Sequence, residues 1–280
     1  MIAVPDLLVV GGLTVDRLAD GSTVAGGSVL HAARATVAAG WRVATITAAG
    51  PEPEALAAVE ELAGMGPSLV RCVEGSIRYA IRESGGHRRL TLEAPAAALR
   101  VTEAEMSSFQ AAAVLLAPVA GELSAESVVS SRSSAVVVAA LQGWLRSLEP
   151  GKVVRPLPLA SLEGELSAAL DHLDAMVASE EDLAAVGGDP VAQLVTLRRQ
   201  VGDRPLLVVT TGADGAWVDD GSRGRHHLSA PRGLEGISTV GAGDAFAALL
   251  TLALGAGYDR LAAAKAAVAA TSELLAALMA

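Results

Sequence analysis

The strongest chemical signal in the sequence is the segment Ile237–Phe246, which reads ISTVGAGDAF and runs directly into an apolar stretch. Gly241 and Gly243 let the backbone turn tightly, so the nearby amides can point at one spot. The N-terminal end of the following helix adds a partial positive charge, so the turn predicts an anion-binding site. A helix cap alone would explain Asp244, but not the glycines that leave space in front of it. We interpret Asp244 as the acceptor of a hydroxyl proton, with the amides stabilising an incoming phosphoryl group.

The elements that position this turn follow from an alternation of short apolar runs with longer Ala-rich stretches. This alternation indicates crossover connections onto a largely parallel sheet with helices on both faces. The predicted strands are Asp6 to Val10, Arg42 to Thr47, Ala113 to Pro118, Ala135 to Ala140, Ala175 to Ala178 and Pro205 to Thr210. The predicted helices are Ser28 to Ala39, Pro53 to Ala63, Ala125 to Ser131, Leu162 to His172, Glu180 to Val186, Pro190 to Val201, Ala242 to Leu254 and Tyr258 to Leu278.

Two segments interrupt the alternation. Residues 78–92 contain two short runs separated by a serine and two glycines, which predicts a β-hairpin. Its arginines make it too polar for a core, so we expect a flap. Aspartate-glycine turn signals near positions 214 and 220 separate three strand-like pieces, which predicts an antiparallel extension of the sheet.

Composition excludes several classes of protein. The 280 residues are 51% hydrophobic with 3 Trp, 2 Tyr and 2 Phe, so Ala, Val and Leu must build a core and disorder is excluded. A net charge of −10 with few aromatic residues argues against nucleic-acid binding. No apolar run reaches the roughly 18 to 20 residues that span a membrane. One cysteine, the lack of a signal-like N-terminus and the length together predict a cytoplasmic protein with a single domain over residues 1–280.

The segment around Asp244 resembles the second signature of the ribokinase-like, or PfkB, carbohydrate kinases, D-T-x-G-A-G-D, which here reads S-T-V-G-A-G-D. Further segments are similar to other parts of the family pattern and occur in the same order: Val9–Asp16, Ala25–His31 and Val209–Ala216. The resemblance covers almost the whole chain. It implies an α/β fold, the ribokinase-like three-layer α/β/α sandwich with a mostly parallel central sheet and a small β lid, the lid formed by about 13–25 and 74–93.

The resemblance also implies roles for individual residues, an ATP-dependent transfer of the γ-phosphate to a sugar hydroxyl, and ATP and Mg²⁺ as cofactors. By matching position, Asp244 would be the general base and the amides of Gly241, Ala242 and Gly243 the anion hole. The remaining assignments are Thr210, Gly212 and Gly215 for ATP, Asp16, Gly27 and His31 for the sugar, and Asp182 for the metal.

Three positions depart from the family pattern. Ser238 stands where the second signature has Asp, which removes a carboxylate associated with a monovalent-cation site. His31 stands where the family commonly has Asn; it can still form a hydrogen bond to a sugar hydroxyl, or be an ordinary helix histidine. Ser179 and Asp182 stand in place of the N-x-x-E metal motif, and a plain helix N-cap explains the same residues equally well.

Other readings remain open from the sequence. Gln142 and Arg146 follow a strand at the edge where α/β proteins bind ligands, and they either contact substrate or belong to a solvated loop. The flap arginines either bind an anionic substrate or are exposed to solvent, and we favour a neutral sugar or polyol as the substrate. Alternatives to an active sugar kinase are a catalytically weakened kinase-like protein that acts as a sensor or partner subunit, and a nucleoside kinase. The family resemblance further suggests a possible homodimer through the lid.

Overall fold

The computed structural model describes residues 4–84, 87–134, 136–162, 170–231 and 240–277. Its strands form two separate sheets. The strands are β1 Leu7–Gly11, β2 Thr14–Arg17, β3 Thr23–Gly26, β4 Val43–Ala49, β5 Ser68–Cys72, β6 Ile77–Ser84, β7 His87–Ala94, β8 Ala113–Ala117, β9 Val136–Ala140, β10 Ala175–Ser179, β11 Leu206–Thr210, β12 Ala216–Asp219 and β13 Arg225–Leu228.

The larger sheet has the order β13-β12-β11-β10-β9-β8-β1-β4-β5. Its pairings from β11 to β5 are all parallel, whereas β12 and β13 pair antiparallel at one edge. All six predicted strands are present with ends displaced by no more than a few residues, and the antiparallel extension is confirmed. The central strands β1, β8 and β11 are almost fully buried, which explains why they have no polar face.

Helices cover both faces of this sheet, so the expected sandwich of mixed α/β type with a large, mostly parallel sheet is confirmed. The helices are α1 Ser28–Ala38, α2 Pro53–Met65, α3 Glu103–Ser108, α4 Ala125–Ser130, α5 Pro190–Val201, α6 Ala242–Gly255 and α7 Arg260–Ala277. One core includes residues of α1, α2, α6 and α7, and the other includes residues of α3, α4 and α5. Among the described residues, no helix combines the length and hydrophobicity needed to cross a bilayer.

The helix predicted over Glu180 to Val186 is wrong, because this segment forms consecutive turns. Its amides at 184, 186 and 187 bond to carbonyls three residues earlier, and paired glycines with positive φ follow at Gly187 and Gly188. The side chains of Ser179 and Asp182 thus form a local cap by accepting from each other's backbone amides, but no helix follows this turn. Most of the helix predicted over Leu162 to His172 lies outside the described residues.

The second sheet has the order β3-β2-β6-β7 and contains the predicted hairpin as β6 and β7. Because side chains alternate along a strand, one face carries the buried Ile77, Tyr79 and Ile81, which pack with Val119. The opposite face carries exposed arginines. Ser76, just before β6, donates from its amide and hydroxyl to the carboxylate of Glu52 next to α2, so the small sheet is fastened to the large body at this point.

Candidate active site

The turn before α6 has the conformation that its glycines suggest. Gly241 is the N-cap of α6 and has φ of 79°, in the left-handed region. A Cβ on Gly241 would lie 2.6 Å from Cγ of the His31 ring, so no larger residue fits there unless the histidine moves. Asp244 follows in the first helical turn. The first amides of a helix have no partner within it, and close packing of Gly241 against His31 brings this end of the helix next to His31.

The carboxyl of Asp244 is buried in a polar environment. Burial raises its pKa above the ordinary value, while the nearby His31, a hydrogen bond with Ser28 and the charge of Arg146 partly oppose this effect. The amide of Gln142 donates to Asp244 Oδ1 at 3.2 Å. Asp244 is thus a group whose proton affinity is increased and whose anion is stabilised by several fixed partners, as expected for a general base.

A cleft beside Asp244 gathers the residues predicted to bind the sugar. Asp16, Gly27 and His31 all line it together with Gly241 and Asp244. Further lining residues come from the second sheet and from the loop after β9: Thr14, Tyr79, Leu90, Gln142 and Arg146. The cleft therefore lies between the small sheet and the carboxyl edge of the large one, with polar groups of both signs on its walls.

The glycine pair before α1 lets this cleft form. A Cβ on Gly26 would lie 2.7 Å from Asp16 Oδ2, and one on Gly27, where φ is 96°, would lie 2.4 Å from the carbonyl oxygen of Gly12. Close backbone packing thus brings Asp16 on β2 next to the start of α1. Asp16 is only 8% exposed.

A second pocket lies on the other side of the turn. Its walls include the residues predicted to bind ATP, Thr210, Gly212 and Gly215, together with Ala242 and Gly243. The rest of its lining is mostly apolar: Ala213, Ala230, Phe246, Val268, Thr271, Ser272 and Leu275. Residues 241 and 244 line the first cleft and residues 242 and 243 line the second, so one turn separates the two spaces.

Asp182, the predicted metal residue, lies at neither pocket wall but is joined to the cleft through Arg146. Its Oδ2 accepts hydrogen bonds from the amide and hydroxyl of Ser179, at 3.1 and 2.7 Å. Its Oδ1 lies 3.5 Å from Nη2 of Arg146. Within the described residues, no group of three or more His, Cys, Asp or Glu side chains could hold a metal ion. Ser238 lies outside the described residues.

A sequence model of the pfkB family of carbohydrate kinases matches residues 7–276. The chain belongs to this family. The resemblance stated from the motifs is therefore confirmed, and membership indicates a sugar kinase, that is, a phosphotransferase. No curated protein sequence matches this pfkB-family chain.

Solved structures share the fold of the pfkB-family chain at low sequence identity. A pyrophosphate-dependent kinase of the ribokinase family, complexed with a pyrophosphate analog and myo-inositol, has a TM-score of 0.76 at 19% identity, covering 95% of this chain and 93% of the other. The ribokinase of Arabidopsis thaliana, complexed with ribose and ATP, has a TM-score of 0.70 at 18% identity, with coverage of 96% and 92%. The ribokinase of Thermotoga maritima has a TM-score of 0.68 at 15% identity, with coverage of 98% and 99%.

Some site residues of the pfkB-family chain were not assigned from its sequence. Thr14 lies two residues before Asp16 on the same strand, so period-two alternation could have placed both on one face. Its hydroxyl oxygen is buried and has no hydrogen-bond partner among the described residues. Ser28 directly follows the glycine pair. Tyr79 donates to the carbonyl oxygen of Val119 at 2.9 Å, and burial raises the pKa of Tyr79 to about 12; no local pattern marked this residue.

Proposed function

We propose that the protein transfers the γ-phosphate of ATP to a hydroxyl of a neutral sugar or polyol. The observation that carries this proposal is the turn 241–244, which lines a polar cleft on one side and a largely apolar pocket on the other. A hydroxyl compound in the first space and a nucleotide in the second would meet at the free amides of the turn. Transfer between two bound substrates requires this arrangement, because positioning and electrostatic stabilisation supply most of phosphoryl-transfer catalysis.

Asp244 would act as the general base. As the acceptor oxygen forms a bond to the γ-phosphorus, its proton passes to Asp244, and the bond to the β,γ-bridging oxygen breaks with the electron pair leaving on ADP. The amides of Gly241, Ala242 and Gly243 would stabilise the charge on the transferring group. These amides lie at the N-terminus of α6, where no helical partner uses them.

The lining of the second pocket supports a nucleotide as donor. Pyrophosphate is a small, highly charged group that needs cationic or amide donors on every side, whereas a purine ring needs apolar contact. Phe246, Val268 and Leu275 offer such contact, and no Lys or Arg lines the described part of this pocket. Because a fold neighbour is pyrophosphate-dependent, pyrophosphate is the donor against which ATP must be tested.

The charges around the first cleft support a neutral acceptor. Asp16 and Asp244 would repel an anionic substrate, and the guanidinium of Arg146 is already engaged with Asp182 and Gln142. The buried hydroxyl of Thr14 and the carboxylate of Asp16 instead suit hydroxyl groups. The neighbours complexed with myo-inositol and ribose bind compounds of this class.

Mg²⁺ would accompany the nucleotide. This ion binds through one or two carboxylates, substrate phosphates and several waters, so a single protein carboxylate suffices. Asp182 fits this description, because its Oδ1 has only a long contact with Arg146 while Ser179 holds Oδ2. When bound, the ion would neutralise charge on the phosphates.

The test is ADP release over a panel of sugars, polyols and nucleosides, run in parallel with pyrophosphate as donor and phosphate release as readout. We expect turnover with ATP and a neutral polyol or sugar, and loss of that turnover in Asp244→Ala. Asp203→Ala, which removes an exposed acid that lines neither pocket, is the matched control and should keep wild-type rates. Turnover with nucleosides alone would favour a nucleoside kinase. Calorimetric binding of ATP and sugar without turnover would favour a sensor, and pyrophosphate-only turnover would overturn the assigned donor.

A further inference from the structure

Gln142 connects the candidate base to the guanidinium of Arg146, which lines the same cleft. It lies in the helical turn Leu141–Gly143 directly after β9 and lines the cleft. Its side-chain nitrogen donates to Asp244 Oδ1 at 3.2 Å and also donates to the hydroxyl oxygen of Ser28. Its side-chain oxygen accepts from Nη2 of Arg146 at 2.9 Å. Every polar atom of this amide is therefore engaged.

Arg146 fixes the direction in which this amide points. A guanidinium can only donate hydrogen bonds, so the amide oxygen of Gln142 must face Arg146. The NH₂ group must then face Asp244 and Ser28, and flipping the amide would set donors against the guanidinium. Nη2 of Arg146 also lies 3.5 Å from Asp182 Oδ1, and the side chain of Arg146 is only 19% exposed. The N–H of Gln142 that donates to Asp244 is thus oriented by the contact of Gln142 with Arg146.

The charge state of Asp244 explains why a fixed donor matters. A buried carboxyl favours its protonated form, which cannot take a proton from a substrate. An N–H directed at Oδ1 stabilises the anion, which is the form that can receive the proton. The other charged groups that face Asp244 are His31 on α1, Arg146 after β9 and Asp182 after β10; the first two favour the anion and Asp182 opposes it.

We propose that Gln142 is a positioning residue, which holds Asp244 as an oriented anion ready to accept the hydroxyl proton, and that Arg146 sets the direction of its amide. The inference rests on the proposed kinase function. Gln142 itself exchanges no proton: the hydroxyl proton goes to Asp244, the acceptor oxygen bonds to phosphorus, and ADP leaves with the electron pair of the broken bond.

Two substitutions separate the two contacts of Gln142. Gln142→Leu removes both the donor to Asp244 and the acceptor for Arg146. Gln142→Glu keeps an oxygen for Arg146 but offers no N–H to Asp244, and it adds a negative charge beside it. Gln193→Leu is the matched control, because Gln193 is a buried side-chain amide that instead donates to the backbone carbonyls of Glu180 and Leu183.

The first readout does not depend on turnover. The carboxyl carbon of Asp244 is followed by carbon-13 NMR as a function of pH, and its signal is assigned with Asp244→Asn. A hydrogen bond to a charged group contributes about 1.5 to 3 kcal/mol, so the titration midpoint should rise by about one pH unit or more in both Gln142 variants. Gln193→Leu should leave it in place. An unchanged midpoint in folded Gln142→Leu or Gln142→Glu would overturn the proposal.

The second readout is kinetic. Both Gln142 variants should lower kcat by about 10- to 100-fold while the KM for ATP changes by less than about threefold, because the lost interaction acts on the base and not on the donor. A change in KM alone would contradict a positioning role. Wild-type protein that turns over no substrate would count against the proposed function, whereas an active wild type with unaltered kcat in both variants would count against Gln142 alone.

Discussion

At the scale of single residues, the burial of Asp244 conflicts with its carrying a negative charge. As the proposed base, Asp244 would have to be an anion to accept a proton, yet burial raises its pKa. The contacts with Gln142 and Ser28 and the nearby charge of Arg146 reduce this cost without removing it. Active sites commonly hold such groups at the expense of stability, because function requires the strained arrangement.

This conflict predicts that Asp244→Asn is more stable than the wild type at neutral pH. A carboxyl with a raised pKa in the folded state stabilises the protein below its unfolded value of 3.8, and this stability is lost as the pH rises through the raised pKa. The variant should therefore gain about 0.5 to 2 kcal/mol in free energy of unfolding at about pH 8 and less at about pH 5. Urea denaturation at both pH values measures this. Asp203→Asn is the control, and equal gains at both pH values would be the contrary result.

A second prediction concerns the left-handed turn at Gly241. Gly241→Ala places a methyl group in a conformation that costs about 1 to 2 kcal/mol and against the ring of His31, so the free energy of unfolding and kcat should both fall. Gly257→Ala is the matched control: its φ is 85°, but nothing lies within 4 Å of the added carbon. It should show the backbone cost alone and keep kcat.

The contact with His31 is tested by the double variant. If the clash contributes, His31→Ala should recover part of the stability lost in Gly241→Ala. Urea denaturation of the single and double variants gives the coupling energy. Purely additive losses would show that His31 does not restrict the turn.

At the scale of elements, the sequence predicts what depends on local pattern and misses what depends on tertiary contacts. The buried strands and the hairpin over β6 and β7 follow from apolar runs and turn residues. The residue types in segment 180–186 are typical of a helix. The segment instead forms turns, in which Asp182 and Ser179 cap one another, and it ends at a pair of glycines with positive φ. Gln142 could be placed at the right edge of the sheet, but its contact with Asp244 joins positions 102 residues apart and no local pattern reveals it.

The small sheet leads to a prediction about motion. It is fastened to the body at Glu52 and covers the cleft with Tyr79 and Leu90, which places it where a lid would close over substrate. Binding of ATP analogue and acceptor should slow hydrogen exchange of the amides in 77–82 and 89–94. The central strand β8 should exchange equally slowly with and without ligands, and serves as the internal control. If the exchange rates of β6 and β7 do not change when the ligands bind, this would argue against closure.

At the scale of the whole molecule, the proposed function requires that a chain of net charge −10 attract phosphate at one restricted place. The amides before α6 and the dipole of that helix can do so without a basic surface. The mostly apolar pocket beside them would supply contact for the rest of the proposed nucleotide. Dimerisation through the small sheet stays a prediction.

A donor site that combines backbone amides with a mostly apolar pocket predicts that ATP, and not pyrophosphate, stabilises the folded protein. A ligand at 100 times its Kd adds about 2.7 kcal/mol to the free energy of unfolding, which thermal unfolding detects as a higher Tm. Ala213→Trp should abolish the effect of ATP by filling the apolar pocket, whereas Ala57→Trp, at an exposed position of α2, should preserve it. A Tm raised by pyrophosphate alone would refute the assignment.

The central claim is that Asp244 is the base of a phosphoryl transfer, and single-turnover kinetics test it most directly. Wild-type protein and Asp244→Asn are mixed with labelled ATP and the best acceptor of the panel, and formation of the phosphorylated product is followed. The account predicts a rate about 10²- to 10⁴-fold lower in Asp244→Asn with unchanged ATP affinity. Product formation at the wild-type rate in Asp244→Asn would contradict it.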